Sequence, residues 1–202
     1  MSGEAGWRNQ RARSLTDPAR LARDPRVLFH VDLARELSAA AARHTGPAAS
    51  GLRLTDTLGL HHDGAEDSVR VTSSAYRSDP GAETGLGVEL SDFAGSYMSV
   101  TLDLPTGGAP VSRRSIIAVS VEFSPPEAAP QPRLNLKWGA DIEHPRPWLT
   151  WLPEGVYAEF ELSDLPLMTP YGGWIDLLFP PLHNAQIRVT ALSLAHWLRL
   201  DV

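Results

Sequence analysis

Apolar and polar residues alternate along most of the chain after residue 47. Four segments show the two-residue period most clearly: residues 96–104, 114–123, 133–138 and 155–162. In the first segment the apolar side is formed by Met98, Val100, Leu102 and Leu104. Because successive side chains of a strand point to opposite faces of its sheet, this period predicts strands with one buried face.

Six further segments carry a weaker form of the same pattern: residues 52–60, 68–76, 86–90, 148–152, 174–179 and 186–197. Turns rich in glycine and proline separate the segments, and no helical segment alternates with them. A run of short strands without intervening helices favours antiparallel sheets over a parallel fold. The prediction is a mainly β protein, an antiparallel jelly-roll β-sandwich with an N-terminal α-helix, and a closed barrel is the alternative.

Helical spacing is confined to the N-terminal part of the chain. Asp24 followed by Pro25 is typical of a helix start, and Phe29, Leu33 and Leu37 follow at intervals of four residues. The apolar stripe that they form must pack on the sandwich or on another chain. We therefore divide the chain into an arginine-containing tail with a short helical turn (1–24), an amphipathic helix (25–46) and a β-sandwich domain (47–202).

Composition excludes several classes of protein. The chain has 202 residues, of which 43% are hydrophobic, and contains no cysteine. This size suits one domain, and the lack of cysteine excludes disulfide scaffolds, thiol nucleophiles and cysteine-based metal centres. A net charge of −6 argues against a dedicated nucleic-acid-binding protein. No apolar stretch approaches the roughly 18 residues of a membrane helix, and no secretory signal is recognisable. We therefore expect a cytoplasmic protein that needs no cofactor.

Charge is distributed unevenly along the chain. Residues 1–44 hold eight arginines against five acidic residues, whereas residues 45–202 hold ten basic against nineteen acidic residues. The basic tail would be attracted to an acidic surface. The first functional hypothesis is a non-catalytic binding or assembly module that docks on a protein partner through its sandwich surface, its helix stripe and its tail. The stripe and tail residues are Phe29, Leu33, Leu37, Arg8, Arg11 and Arg13.

Glycan binding is the second hypothesis. Sugar-binding sandwiches stack a sugar ring on an exposed aromatic side chain and hold its hydroxyls with amides and carboxylates. Residues of these types occur close together in the sequence: Asn135, Asp141, Glu143, Trp148 and Trp151. Alternation places Asn135 and Lys137 on the outer side of their strand, and it places Trp148 and Trp151 on opposite sides of theirs.

A metal site has weaker support. His61 and Asp63 would share one face of a strand and could bind a metal if a third ligand, such as His183 or Glu66, lay beside them. The alternative is a strand end that runs into a turn at Asp63.

Nucleophilic catalysis and phosphate binding lack their motifs, because the chain has no Gly-x-Ser-x-Gly elbow and no glycine-rich loop between a strand and a helix. A sandwich hydrolase that uses Asp176 or Glu143 is the third functional hypothesis, and binding is favoured over catalysis. Asp176 lies in an apolar segment, so its carboxylate must face solvent or find a donor or a cation.

Five segments resemble a family of uncharacterised bacterial proteins known only as a domain of unknown function: LHHD (60–63), DFAGSYMSVTLDLP (92–105), RLNLKWGADIE (133–143), EFELSDL (159–165) and WIDLLFPPLHN (174–184). The resemblance spans about residues 60–195. It implies a shared β-rich fold and brings no activity, ligand or catalytic residue.

Overall fold

The computed structural model describes residues 27–75, 84–104, 110–165, 170 and 172–199. These residues form two antiparallel sheets packed face to face and one α-helix, which confirms the predicted mainly β sandwich of jelly-roll-like type. Among them, no helix is both long and apolar enough to cross a membrane.

In chain order the elements are β1 (Val27–Asp32), α1 (Ala34–Arg43), β2 (Gly46–Pro47), β3 (Leu52–Arg53), β4 (Leu58–His62), β5 (Val69–Ala75), β6 (Thr84–Leu90), β7 (Met98–Asp103), β8 (Ser115–Ser124), β9 (Gln131–Trp138), β10 (Asp141–Glu143), β11 (Trp148–Leu152), β12 (Gly155–Glu161), β13 (Gly172–Phe179) and β14 (Ala185–Leu198). Two short 3-10 turns, Glu66–Ser68 and Pro126–Ala128, lie between strands.

The strands divide into a large and a small sheet. The large sheet has the order β11-β12-β8-β14-β6-β5-β2, and β1 pairs with the C-terminal half of β14 as its eighth strand. The small sheet has six strands in the order β10-β9-β13-β7-β4-β3. Neighbours in each sheet are often distant in sequence, because the chain passes repeatedly from one sheet to the other.

The predicted strand segments all contain strands, but segment 52–60 holds two. The short strands β3 and β4 are separated by a tight turn, in which the Thr55 hydroxyl accepts hydrogen bonds from the backbone N–H groups of Thr57 (3.2 Å) and Leu58 (3.0 Å). A side chain that takes up these donors interrupts the extended strand.

The core lies between the sheets and contains the predicted inward-facing residues. Alternate residues of β7, β8, β9 and β12 are buried there, including Val100, Val119, Leu134 and Phe160. Trp138 is also buried against this core, as alternation predicts. The outward faces of the same strands carry the polar side chains that remain open to a ligand.

The predicted helix over residues 25–46 is wrong in its first part. Val27–Asp32 is strand β1, and the helix begins only at Ala34. β1 pairs antiparallel with β14 from Val27 opposite Trp197 to Asp32 opposite Ser193. Backbone pairing with an available strand therefore outweighs the helical spacing of the apolar residues.

Helix α1 packs on its own sandwich, which is one of the two alternatives that the sequence left open. Leu33 at its start, Leu37, Ala40 and Ala41 belong to the central core. The carboxylate of Glu36 accepts hydrogen bonds from the hydroxyls of Thr55 (3.1 Å) and Thr57. The helix is therefore an internal element of the fold.

Candidate functional site

The outward face of the small sheet carries a cleft of about 680 Å³. It is lined by alternate residues of neighbouring strands and by one loop residue. We call it the polar cleft, and its lining residues are Arg53, His61, Tyr97, Ser99, Thr101, Asp103, Arg133, Lys137, Trp174, Asp176 and Leu178.

Strand register brings the central residues of the cleft into rows. Asp176 on β13 lies opposite Thr101 on β7 and opposite Arg133 on β9. Trp174 lies opposite Asp103 on one side and opposite Asn135 on the other. Because alternate residues of β13 are apolar and buried, Trp174 and Asp176 must both point outward.

The Asp176 carboxylate is the most highly connected group in the cleft. One oxygen accepts a hydrogen bond from the Thr101 hydroxyl at 3.0 Å. The other accepts hydrogen bonds from the Asn135 amide (2.9 Å), the Trp174 indole N–H (3.2 Å) and the Arg133 guanidinium (3.3 Å). With 7% of its surface exposed, Asp176 is nearly covered by these partners. The network fixes the Trp174 ring and the Arg133 head group relative to each other.

A second ion pair lies at the far side of the cleft. The Arg53 guanidinium donates to the Asp103 carboxylate at 2.9 Å and also to the backbone carbonyl of Asp56. Both side chains of the pair are about half exposed, at 49% and 45%. Water and salt therefore screen this pair much more than the Asp176 network.

Two aromatic side chains border the cleft. Trp174 is half-buried, and the Lys137 ammonium lies 5.1 Å from the centre of its ring. Tyr97 is 40% exposed and follows a loop held by Asp63. The Asp63 carboxylate accepts hydrogen bonds from the Ser96 hydroxyl (2.6 Å) and from the backbone N–H groups of Ser96 (2.7 Å) and Tyr97 (3.0 Å). The Ser96 hydroxyl, followed by the Tyr97 N–H, holds the pKa of Asp63 below its ordinary value.

The two residues of the candidate metal pair, His61 and Asp63, have different surroundings. His61 lines the polar cleft, whereas Asp63 lies beyond the end of β4 and secures the loop before Tyr97. His183 lies near Asp92 and the carbonyl of Phe93. Across the part of the chain that the structure describes, no three His, Asp or Glu side chains are grouped so that they could hold a metal ion.

A second cleft, of about 650 Å³, lies between the end of β10 and the end of β12. We call it the Trp148 cleft. It is lined by a proline-rich connection and by acidic residues: Glu143, His144, Pro145, Arg146, Pro147, Trp148, Glu161, Ser163, Asp164 and Leu165.

The five residues predicted to bind glycan do not form one site. Trp148 and Glu143 line the Trp148 cleft, and Asn135 belongs to the Asp176 network. Trp148 pairs with Glu159 and Trp151 with Val156, so the two rings project from opposite faces of β11. Both tryptophans are highly exposed, at 54% and 59%, and Asp141 is exposed on β10.

A model of the family of unknown function DUF6478 matches residues 31–202. The chain belongs to this family. The match confirms the resemblance seen in the five sequence segments and extends it from about residues 60–195 to residues 31–202. A comparison of this DUF6478 chain with curated proteins finds no match.

Several solved structures share a loosely similar fold with the DUF6478 chain. One is the CBM22-1 xylan-binding domain of Paenibacillus barcinonensis Xyn10C, with a TM-score of 0.43 and 12% identity over 87% of this chain and 96% of that chain. Another is a cyclase from Fischerella sp. TAU, with a TM-score of 0.41 and 12% identity over 85% and 86% of the two chains. A third is the family 11 carbohydrate-binding module of Clostridium thermocellum in complex with a β-1,3-1,4-mixed-linked tetrasaccharide, with a TM-score of 0.37 and 10% identity over 79% and 99%. Such low scores do not indicate a ligand.

Of the residues predicted to dock a partner, Leu33 and Leu37 are the two whose side chains lie in the described part of the DUF6478 structure. Leu33 and Leu37 are buried in the core of their own chain, so a partner would reach them only if α1 left the sandwich. Phe29 lies in β1, but its side chain is outside the described part of the structure. Arg8, Arg11 and Arg13 also lie outside the described residues.

Sequence reasoning missed most of the polar cleft. Alternation correctly places Lys137 and Asn135 outward, and it places Ser99, Thr101 and Asp103 together on the face opposite to Met98, Val100 and Leu102. It could not show that β7, β9 and β13 are neighbours, because strand order depends on long-range packing. Trp174 and Arg133 were therefore not recognised as partners of Asp176.

Proposed function

We propose that the protein binds a carbohydrate chain in the polar cleft and does not cleave it. The observation that carries this proposal is the pairing of an indole ring with fixed polar groups on one open sheet face. Trp174 supplies the ring, and Asp176 and Arg133 supply a carboxylate and a guanidinium next to it.

The chemistry of sugars matches this arrangement. A sugar ring has faces of C–H groups that pack against an aromatic ring, and hydroxyls at its edge that bind carboxylates and guanidinium groups in pairs. The cleft volume of about 680 Å³ lies within the range of roughly 300–1,000 Å³ that is typical of ligand sites. The indole N–H bond to Asp176 holds the ring in place before a ligand arrives, which reduces the entropy lost on binding.

The state of the cleft carboxylates favours binding over hydrolysis. A glycosidase needs one carboxyl group that can give a proton and a second that acts as base or nucleophile. Both oxygens of Asp176 already accept hydrogen bonds, and Asp103 is bound by Arg53. Both carboxylates are thus engaged by the protein's own donors, and we take this as support for binding.

Affinity electrophoresis tests this proposal. The protein is run in gels that contain arabinoxylan, mixed-linkage β-glucan, galactomannan, polygalacturonate, alginate or chondroitin sulfate. We expect retardation by at least one polymer, and we expect Trp174→Ala and Tyr97→Ala to lose it while they keep the far-UV circular dichroism spectrum of a β-sandwich. Mobility that no polymer alters would overturn carbohydrate binding.

The Trp148 cleft is the second candidate for the same function, because Trp148 is 54% exposed beside Glu143. The variant Trp148→Ala distinguishes between the two clefts as binding sites. Retardation that is lost in Trp148→Ala and kept in Trp174→Ala would move the binding site to the Trp148 cleft. The opposite result supports the polar cleft.

A further inference from the structure

Lys137 is the only lysine among the 202 residues of the chain, which has seventeen arginines. It lies on β9 with its side chain exposed on the polar cleft. Its ammonium group lies over the Trp174 ring, 5.1 Å from the ring centre, on the diagonal between neighbouring strands. The ammonium therefore rests on a face of the indole, and a sugar that stacks on this face must draw the ammonium to a group of its own.

The charges of the polar cleft do not cancel. Three cationic side chains (Arg53, Arg133 and Lys137) face two carboxylates, Asp103 and Asp176. Each carboxylate is bound by an arginine, and among the described residues no carboxylate pairs with Lys137. The cleft thus carries one surplus positive charge on a protein whose net charge is −6.

Among the described residues, β13 places no side chain directly opposite Lys137. Gly172 lies directly opposite Lys137 in the pairing of β13 with β9 and brings no side chain. A methyl group built on Gly172 would meet nothing within 4 Å. No described side chain on the β13 side therefore blocks the approach of an anionic group to Lys137.

We propose that the polar cleft selects sugar chains that carry an anionic group, and that the Lys137 ammonium binds this group while the sugar ring lies against Trp174. This specificity rests on the proposed function of the cleft. The anionic group is a uronate carboxylate or a sulfate ester, since both offer oxygens to an ammonium.

The single lysine permits a direct test. Reductive methylation with ¹³C-formaldehyde keeps the positive charge and labels Lys137 together with the N-terminal amine, which titrates differently. The dimethyl-lysine resonance is then followed by NMR during titration with a trigalacturonate, a sulfated disaccharide, the neutral cellotriose and sodium sulfate alone. We expect the charged sugars to shift this resonance and to bind about tenfold more tightly than cellotriose, with a preference that declines as salt is added.

Charge variants assign the preference to Lys137. In calorimetric titrations, Lys137→Gln should bind the charged sugar and cellotriose with about equal affinity. Lys137→Arg should again bind the charged sugar more tightly than cellotriose. Arg70→Gln removes the same charge from an exposed position on β5 of the large sheet and should leave the preference in place.

The outcomes separate this specificity from carbohydrate binding itself. Equal or tighter binding of cellotriose would overturn the anionic preference and leave the proposed function standing. A lack of binding by every sugar here and by every polymer of the electrophoresis would overturn the proposed function, whereas binding of neutral polymers alone would overturn the anionic preference. A response to sodium sulfate as strong as that to the sulfated sugar would overturn the preference too, because the cleft would then be a site for a simple anion.

Discussion

Asp176 shows how the outward face of a sheet can cover a carboxylate almost completely. Thr101 and Asn135 on the two adjacent strands donate to it, and so do the Trp174 indole two residues earlier on its own strand and the Arg133 guanidinium. Thr101 and Asn135 are buried, whereas Trp174 is half-buried and the Arg133 side chain is half exposed. Asp103, on the same face, has one arginine and ample contact with water.

We expect the two carboxylates of the cleft to contribute very differently to stability. Asp176→Ala should lower the free energy of unfolding by about 2–3 kcal/mol, because it leaves the buried Thr101 hydroxyl and the half-buried Trp174 indole N–H without this acceptor. Asp103→Ala removes a half-exposed ion pair and should cost less than about 1 kcal/mol. Urea denaturation of the two variants measures both values. Equal losses would show that the Asp176 network does not hold the sheet.

Some of this residue-level arrangement could be predicted from the sequence and some could not. The outward direction of Asn135 and Lys137 follows from the alternation of their own strand. The bond from Thr101 to Asp176 joins residues 75 positions apart, and nothing local encodes it. The same holds for Asp63, whose partners Ser96 and Tyr97 are more than 30 positions away. A side chain's direction is a local property, whereas its partner depends on the order of the strands.

At the scale of elements, strand pairing and close packing determine the secondary structure of segments whose local sequence pattern is ambiguous. Residues 27–32 have helical spacing and yet pair with β14, whereas the following residues form α1, which buries its apolar side in the core of its own sandwich. The pairing of β14 with β8 shifts register between Val189 and Ala191 and then runs on to Leu198. The pairing of β14 with β6 ends at Val189, at the same place. Gly85 on β6 lies at this irregularity. A Cβ atom on Gly85 would be 2.3 Å from the backbone carbonyl oxygen of Val189.

We expect Gly85→Ala to destabilise the protein by about 1–3 kcal/mol, because a backbone carbonyl cannot give way as a flexible side chain can. Gly172→Ala is the matched control on the small sheet, since its added methyl group meets nothing within 4 Å. The control should change the free energy of unfolding by less than about 0.5 kcal/mol. Thermal and urea unfolding of both variants provide the measurement. A Gly85→Ala variant as stable as the control would mean that β6 moves away from the bulge at little cost.

At the scale of the whole molecule, a histidine in the interior links global stability to pH. His196 on β14 has no exposed surface, lies opposite Ile117 of β8, and is 2.8 Å from the Ser115 hydroxyl through its Nε2 atom. Burial lowers the pKa of His196 below its ordinary value of 6.5. Burial also lowers the pKa of His30 on β1, against an opposing effect of Asp32.

These shifts give the direction of the pH dependence. Below about pH 6.5 the unfolded chain takes up a proton that the folded chain refuses, so the free energy of unfolding falls as the pH decreases. The full stability is present above pH 6.5, and each such histidine can contribute a slope of at most about 1.4 kcal/mol per pH unit. The lowered pKa of Asp63 acts only below its ordinary value of 3.8, so it does not contribute between pH 5.5 and 7.5.

Urea unfolding at pH 7.5 and 5.5 should therefore show a less stable protein at the lower pH. His196→Gln is expected to reduce the difference between the two pH values, whatever it does to stability at pH 7.5. His144→Gln changes an exposed histidine at the Trp148 cleft and should leave the difference as it is in the unmodified protein. If His196→Gln and His144→Gln retain the same difference, the acid sensitivity of the fold does not come from the histidine inside the sandwich, and His30 on β1 becomes the residue to substitute.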